Sequence, residues 1–295
     1  MKKCLKCAHE FESNVWYCPM CFWKPEWHNQ VPIISSKYFN ENNSFDAAYF
    51  VPLAEKEAGH FWFRMRNKLI IWVIRKYGKN LSSFLEIGCG TGFVLQCISK
   101  IFPKMRIIGS DIYLEGIEIA TRRIKNGEFI QMDAREIPYT NEFDAVGAFD
   151  VIEHITEDDL VLKQINNALK TGGLLILTVP QHPWLWSNVD EYSCHVRRYD
   201  RRTLMTKLEN AGFAILWNTS FVSILLPLFS LLRIFQSNGK NFDPRMELDI
   251  NPILNCVLEN FLNIEFWLIR CGLSFPVGGS LLIAATKLGR VDRKT

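Results

Sequence analysis

Two groups of residues in this 295-residue chain have types and spacings that could do chemistry. The first is Cys4, Cys7, Cys18 and Cys21, two C-x2-C pairs with ten residues between them. Each pair can place two thiolates on one ion from a tight turn, and two pairs complete a tetrahedral four-sulfur shell. Pro19 preorganises the second turn. The spacing is that of a zinc ribbon or a rubredoxin-like knuckle; iron fits the same shell, and a reducing, catalytic context favours zinc. Four protein ligands leave no open position for water, so such a zinc is structural, and His9 and His28 are not needed as ligands. The alternative is four bare thiols, but a segment of about 30 residues has little core with which to fold unaided.

The second group surrounds Phe84-Leu85-Glu86-Ile87-Gly88-Cys89-Gly90-Thr91-Gly92, a short apolar run entering a glycine turn. Glycines allow a sharp bend and close approach of the backbone to a ligand. The spacing is G-x-G-x-G, not the G-x-G-x-x-G of dinucleotide sites. Asp111 follows Gly88 by 23 residues, where a carboxylate can accept hydrogen bonds from both ribose hydroxyls. Asp133, in Met132-Asp133-Ala134, could receive an exocyclic adenine amine.

The elements that position these residues alternate. Strand-like runs at Phe84–Ile87, Arg106–Ile112, Glu128–Met132, Phe143–Phe149 and Gly173–Val179 are separated by helix-like runs, among them Phe93–Ile101, Tyr113–Lys125 and Glu157–Lys170. Such alternation predicts βαβ units, a parallel sheet with helices on both faces, and a ligand crevice at the carboxyl ends of the strands. Upstream, Gly59–Tyr77 reads as a helix. Downstream come a helix at Arg201–Ala211, a strand at Phe213–Asn218, helices at Phe221–Phe235 and Pro252–Ile269, and a last strand at Ser280–Lys287. We divide the chain into a zinc-ribbon-like module (1–30), a linker or arm (31–58), and a domain over 59–295 with a helical insertion at about 220–275.

The ordered set EIGCGTG, GSDI, QMDA and FDAVGAFDVIEHI resembles the class I S-adenosylmethionine-dependent methyltransferases over about residues 60–287. The resemblance implies a Rossmann-like, mostly parallel seven-stranded sheet whose last strand is antiparallel. It also implies a cofactor held by Glu86, Gly88, Gly90, Asp111, Asp133 and the chain near Asp150; Cys89, Gly92, Ile112 and Ala134 adjoin them. The segment Asp150–His154 resembles that of ubiquinone-biosynthesis O-methyltransferases. His154 is then a candidate base, with His182 and His195 as others. A divalent cation shared by Asp150, Glu153 and His154 is an alternative, as is a plain wall of the cofactor pocket. No N/D-P-P-Y/F/W sequence follows the fourth strand, which disfavours the relatives that methylate nucleobase amines.

The loop Pro180–Asp200 carries Trp184, Trp186, Arg197, Arg198 and Tyr199. Loops after strand ends hold substrate-specific residues in such folds. The two Trp suggest stacking on an acceptor and the Arg pair an anionic group, or else local salt bridges. Phe61 and Trp62 are expected to close the pocket from the other side. The expected acceptor is therefore a small molecule, a lipid or a glycan intermediate, methylated on oxygen. An RNA methyltransferase and a non-catalytic cofactor-binding adaptor are the competing readings.

Composition bounds these readings. Hydrophobic residues at 48% and charged residues at 22% mark a folded globular protein, which removes disordered and collagen-like classes. A net charge of +3 carries no strong nucleic-acid signal. The opening MKKCLKCAHE has no apolar run of signal-peptide length, so nine Cys point to a reducing, cytoplasmic setting. Phe213–Leu232 is uncharged but broken by Asn218, Thr219, three Ser and Pro227, so it is read as strand plus helix, not as a membrane span. The apolar 252–269 helix leaves a peripheral membrane contact or a dimer face open.

Two predictions follow directly from these residues. Metal analysis should find close to one zinc per chain, and Cys18→Ser should lose both the zinc and the protease resistance of the amino terminus. Asp111→Ala should weaken S-adenosylmethionine binding by about 1.5–3 kcal/mol in a calorimetric titration.

Overall fold

The computed structural model describes residues 1–35, 47–236 and 248–289, with only the backbone of 232–236. Parts of the expected arm and of the helical insertion lie outside the described residues. In chain order the elements begin with short strands β1 (Lys2–Lys3), β2 (Glu10–Phe11), β3 (Glu26–His28) and β4 (Val31–Ile33), then helices α1 (Phe50–Lys56) and α2 (Phe61–Tyr77). The alternating part follows: β5 (Ser83–Ile87), α3 (Phe93–Ile101), β6 (Arg106–Asp111), α4 (Leu114–Arg123), β7 (Glu128–Gln131), β8 (Phe143–Phe149), α5 (Asp158–Ala168) and β9 (Leu169–Pro180). Then come α6 (Asn188–Tyr192), α7 (Arg201–Asn210), β10 (Phe213–Phe221), α8 (Leu226–Gln236), α9 (Pro252–Arg270) and β11 (Ser280–Lys287).

The main sheet has the order β10-β11-β9-β8-β5-β6-β7-β4-β3. β5 pairs in parallel with both β6 and β8, while β11 runs antiparallel between β9 and β10. The expected seven strands are all present. The sheet nevertheless has nine, because β4 adds in parallel to β7 and β3 folds back on β4. Residues 26–33, which the sequence reading split between ribbon and arm, thus cap the sheet edge. An exposed edge of unpaired amides is thereby covered by the chain's own backbone.

Strands buried on both faces read as apolar runs, and β5 is buried at every residue. Phe84 joins the core layer of α2, α3, α4 and α9, whereas Leu85 and Ile87 join that of α5 and α7. Two boundaries differ from expectation. β10 continues to Phe221 and the following helix begins only at Leu226. The polar Thr219 and Ser220 do not end the strand, because both are buried in a continuous ladder with β11 and Thr219 Oγ1 accepts the Phe275 N–H at 3.0 Å.

The second apolar helix, α9, packs along α2. Leu258, Leu262 and Ile269 are buried. Glu259 meets Arg64 and Lys68, and Asn255 Oδ1 accepts the Phe61 N–H at 2.9 Å. Glu265 is buried and accepts the Ser223 and Ile224 N–H groups at 2.8 Å. The two carboxylates of the helix therefore turn inward, and Ile253, Ile264 and Trp267 stand exposed outside. Among the described residues no helix is long and apolar enough to cross a membrane.

Gly92 precedes α3 at φ +75°, and a Cβ there would lie 2.7 Å from Ala120 Cβ. Left-handed backbone and overpacking each cost about 1–3 kcal/mol in a non-glycine residue. Gly92→Ala should therefore lower stability by about 2–4 kcal/mol, read as a fall in the urea midpoint at unchanged m.

Candidate functional site

β5 is flanked by strands reached through crossovers in opposite directions, so a crevice opens at the carboxyl ends of β5, β6 and β8. The glycine turn lines it. Gly88 and Gly90 have φ of +65° and +48°. A Cβ on Gly88 would lie 2.5 Å from Val151 Cγ2, so the turn and the chain after β8 close on each other only with glycine. Cys89 is buried, its N–H bonded to the Ser110 carbonyl at 2.8 Å and its thiol pushed well up by burial.

Glu86 is buried at the end of β5, and its Oε2 has no partner among the described residues. Burial, against the opposing charge of Arg66, pushes its carboxyl up to about 8. At the end of β6, Asp111 accepts the Gly90 N–H at 2.8 Å and the Tyr113 N–H at 3.0 Å. Burial still raises it to about 6, because two amides only partly replace water. Asp133 and Ala134 lie buried after β7, but Asp133 is held by Arg135, with Nη2–Oδ2 at 2.8 Å. An adenine amine expected at Asp133 would have to share that carboxylate. The Ile112 carbonyl accepts Gln131 Nε2 at 3.1 Å.

Residues that the sequence reading did not select cover the glycine turn. Phe50 of α1 stands where a Cβ on Gly90 would meet its ring at 3.3 Å, and it lies 5.9 Å from the Tyr113 ring. Glu57 is buried, accepts the Thr91 hydroxyl at 2.8 Å and pairs with Arg123. The end of the arm is thus a wall of the cleft. Only the unusual run FDAAYF could have signalled this.

On the other side of β5, Asp150 follows β8 with φ +58° and pairs with Arg66 at 2.5 Å. Arg66 stacks on Trp62 at 4.7 Å and Phe63 at 5.5 Å, so Trp62 reaches the cleft through this cation, whereas Phe61 is buried in the core. The trio of Asp150, Glu153 and His154 that was one alternative does not gather, because Asp150 turns to Arg66. Glu153, His154 and His195 come together instead, with potential ligand atoms all within 4.8 Å. Glu153 is fully buried with neither oxygen partnered among the described residues, and burial plus Asp150 raise its carboxyl. The His154 and His195 rings meet edge to face at 4.6 Å. Burial, then the charge of His195, lowers His154 to about 4.

His195 Nδ1 donates to Asp190 Oδ1 at 2.8 Å, and Arg198 Nε donates to the same oxygen at 2.7 Å. Burial raises Asp190, but these two bonds win and hold it at about 2. With Asp190 ionised, Nδ1 of His195 is the proton donor in this bond. His182 lies outside this group. It sits at φ +62°, stacked on Trp184 at 5.3 Å, with Nε2 buried and unpartnered among the described residues.

The loop residues form the local ion pairs that were the alternative to an anion site. Arg197 donates to the Ile155 and Thr156 carbonyls and pairs with Asp158 at 2.8 Å. Arg198 is spent on Asp190 and the Gln181 carbonyl, and the Tyr199 hydroxyl donates to Asp158 at 2.7 Å. Arg197 and Tyr199 pin the loop to the start of α5 and Arg198 braces the loop on itself, since buried guanidinium and phenol groups must be satisfied locally. Trp184 and Trp186 are exposed, at 63% and 40%.

At the amino terminus the Sγ atoms of Cys4 and Cys21, and of Cys7 and Cys18, are 3.6 Å apart, and all four lie within 4.8 Å. A tetrahedral zinc with Zn–S of about 2.3 Å requires sulfur–sulfur edges of about 3.8 Å. The two knuckles match: Cys4 and Cys18 each accept an N–H four residues on, from Ala8 and Phe22, both left-handed. The donor set fits zinc.

Comparison with known proteins follows the same lines. The model of the family described as a methyltransferase domain matches residues 55–217, more than half of the chain. The demethylmenaquinone methyltransferase of Thermotoga maritima is 32% identical over 99 residues, covering 33% of this chain and 43% of its own. The malonyl-[acyl-carrier protein] O-methyltransferase of Bacillus anthracis is 27% identical over 118 residues, 39% of this chain and 44% of its own. The chain thus spans less than half the length of the curated relatives it matches. Phosphoethanolamine N-methyltransferase 2 of Haemonchus contortus, solved with S-adenosyl-L-methionine, superposes with a TM-score of 0.52 at 17% identity, over 75% of this chain and 53% of that one, and so shares the fold.

Glu86 also makes a prediction about pH. Its folded pKa of about 8 lies above the unfolded carboxyl value, so the folded state holds the extra proton between about pH 4.5 and 8, and stability falls as pH rises through that window. Glu86→Gln should be more stable than the parent at pH 8, with the gap closing toward pH 4.5, while binding S-adenosylmethionine more weakly. Thermal melts of both chains from pH 4.5 to 8 check it; a constant gap would refute it.

Proposed function

The chain belongs to the methyltransferase-domain family, and from that premise we propose that it is an S-adenosylmethionine-dependent methyltransferase acting on a hydroxyl oxygen. The acceptor class is a small molecule, a lipid or a glycan intermediate. The observation that carries the oxygen assignment is the half-buried His154–His195 pair, held by Asp190, beside the end of β8. The cofactor cleft fits its ligand on this chain's own features. A buried Glu86 carboxyl group with one unpartnered oxygen and an Asp111 carboxyl group oriented by two backbone amides are suited to ribose hydroxyls.

Bound there, S-adenosylmethionine would supply a methyl carbon already made electrophilic by its sulfonium. The protein's task is then alignment in a dry pocket and removal of one proton. Burial keeps His154 neutral, so it can accept a hydroxyl proton without first losing one of its own. His195, held by Asp190 through Nδ1, stands beside it with the two rings edge to face. Arg66 holds Asp150 in place and keeps that carboxylate from competing for the histidines. The relatives' names, one a demethylmenaquinone and one a malonyl-[acyl-carrier protein] enzyme, are compatible with small or carrier-linked acceptors.

Incubation with methyl-labelled S-adenosylmethionine and a panel of hydroxylated lipids, quinols, glycan intermediates and RNA tests this reading. Label in a hydroxyl acceptor supports it, label in RNA replaces it, and cofactor binding without transfer to any acceptor favours an adaptor. On the acceptor found, His154→Ala should lower kcat by about 10²–10⁴-fold with cofactor affinity unchanged. Because His154 is neutral above about pH 4, the parent rate should persist in mild acid and fall only as pH approaches 4.

A further inference from the structure

The amino-terminal ribbon is fastened to the connection between β7 and β8, and the chain behind it to β7 itself. The Lys3 N–H donates to the Pro138 carbonyl at 3.0 Å, and Trp16 packs edge-on against Tyr139 at 5.5 Å. Ten residues after Cys21 the chain enters β4, which pairs with β7 at Ile33 and Gln131. The Ile34 N–H then donates to the Gln131 carbonyl at 2.9 Å.

The side chain of Gln131 completes the link. It is fully buried. Its Oε1 accepts the Ser35 N–H at 3.1 Å, and its Nε2 donates to the Ile112 carbonyl at 3.1 Å. One amide therefore bridges the strap behind the ribbon to the residue after Asp111. A buried carboxamide satisfies both bonds in a single orientation, and loss of the strap would leave Oε1 unpaired at a cost that favours rearrangement. The next N–H, of Met132, donates to the Asp111 carbonyl at 3.1 Å, so Asp111 and Ile112 are fastened to the same spot. A ribbon of this size has no core of its own beyond Cys4, Phe11 and Cys18, and its fold depends on metal.

We propose that the four-cysteine ribbon and the adenosine edge of the cleft form one thermodynamic unit, coupled through the strap 31–35 and Gln131, so that metal loading and S-adenosylmethionine binding strengthen each other. Gln131 is a positioning residue in this scheme. The proposal rests on the reading of the cleft as a cofactor site and of the four thiols as a zinc site. Coupling of this kind is reciprocal: whatever factor zinc adds to cofactor affinity, the cofactor must add to zinc retention.

The test uses the full chain and S-adenosylhomocysteine, which binds without turnover. Calorimetry compares the zinc-loaded chain with the chain stripped by a chelator under reducing conditions. The stripped chain should bind about 5- to 100-fold more weakly. Saturating S-adenosylhomocysteine should raise the chelator concentration needed to remove half the zinc by the same factor. Gln131→Leu should keep its zinc yet bind as weakly as the stripped parent. Equal affinity with and without zinc overturns the coupling and leaves the cofactor reading intact. Absence of binding by the zinc-loaded parent defeats the cofactor reading, and the coupling falls with it. Should the stripped chain fail to fold, Gln131→Leu decides, because unchanged affinity in that zinc-loaded variant overturns the proposal.

Discussion

Parallel pairing of β5 with strands on both of its sides is the constraint from which the rest of this structure follows. Right-handed crossovers must leave β5 and β8 toward opposite ends of the sheet, so the carboxyl ends of the strands part. Polar backbone exposed at that parting needs partners, and a glycine turn supplies the only backbone compact enough to sit against Val151. Asp111, Asp133 and Asp150 each end a neighbouring strand. Their convergence is a property of sheet order, since in sequence they lie 17 or more residues apart.

The same geometry places ionisable groups where water is excluded. Glu86 and Glu153 are buried without a full set of partners, a state that costs several kcal/mol of desolvation unless the proton is retained. Natural folds keep such groups where a ligand completes them. Asp190 shows the opposite case. It is equally buried, yet His195, Arg198 and Ser187 saturate its oxygens and its carboxyl stays low. The contrast separates groups held ready for a ligand from groups that build the loop.

Covering structure comes from chain segments distant in sequence. The arm brings Phe50 and Glu57 over the glycine turn, and the ribbon strap closes the sheet edge beside β7. Both are attached by a few directional bonds to otherwise complete elements. Elements joined in this way open at lower free energy than the core of the sheet does. The cover of the glycine turn and of the sheet edge is therefore supplied by the amino-terminal fifth of the chain.

By itself the sequence determined what depends on local pattern. Alternating apolar runs set the order of β5 to β9 and their helices, the EIGCGTG run set the glycine turn, and two C-x2-C pairs set the four-sulfur cluster. Each of these rests on spacing along the chain, which is visible in one dimension. Tertiary structure decided which groups satisfy which. In sequence, Arg197 and Arg198 suit either an anion or local salt bridges, and the fold settles them on Asp158 and Asp190. Asp150 seemed a natural partner for Glu153 and His154, but Arg66, 84 residues earlier, takes it and leaves His195 in that place. β3 and β4 escaped notice because edge pairing of three-residue strands has no periodic signal, only a partner. Buried polar groups must find complementary atoms wherever the fold brings them, and the identity of those atoms is a three-dimensional fact.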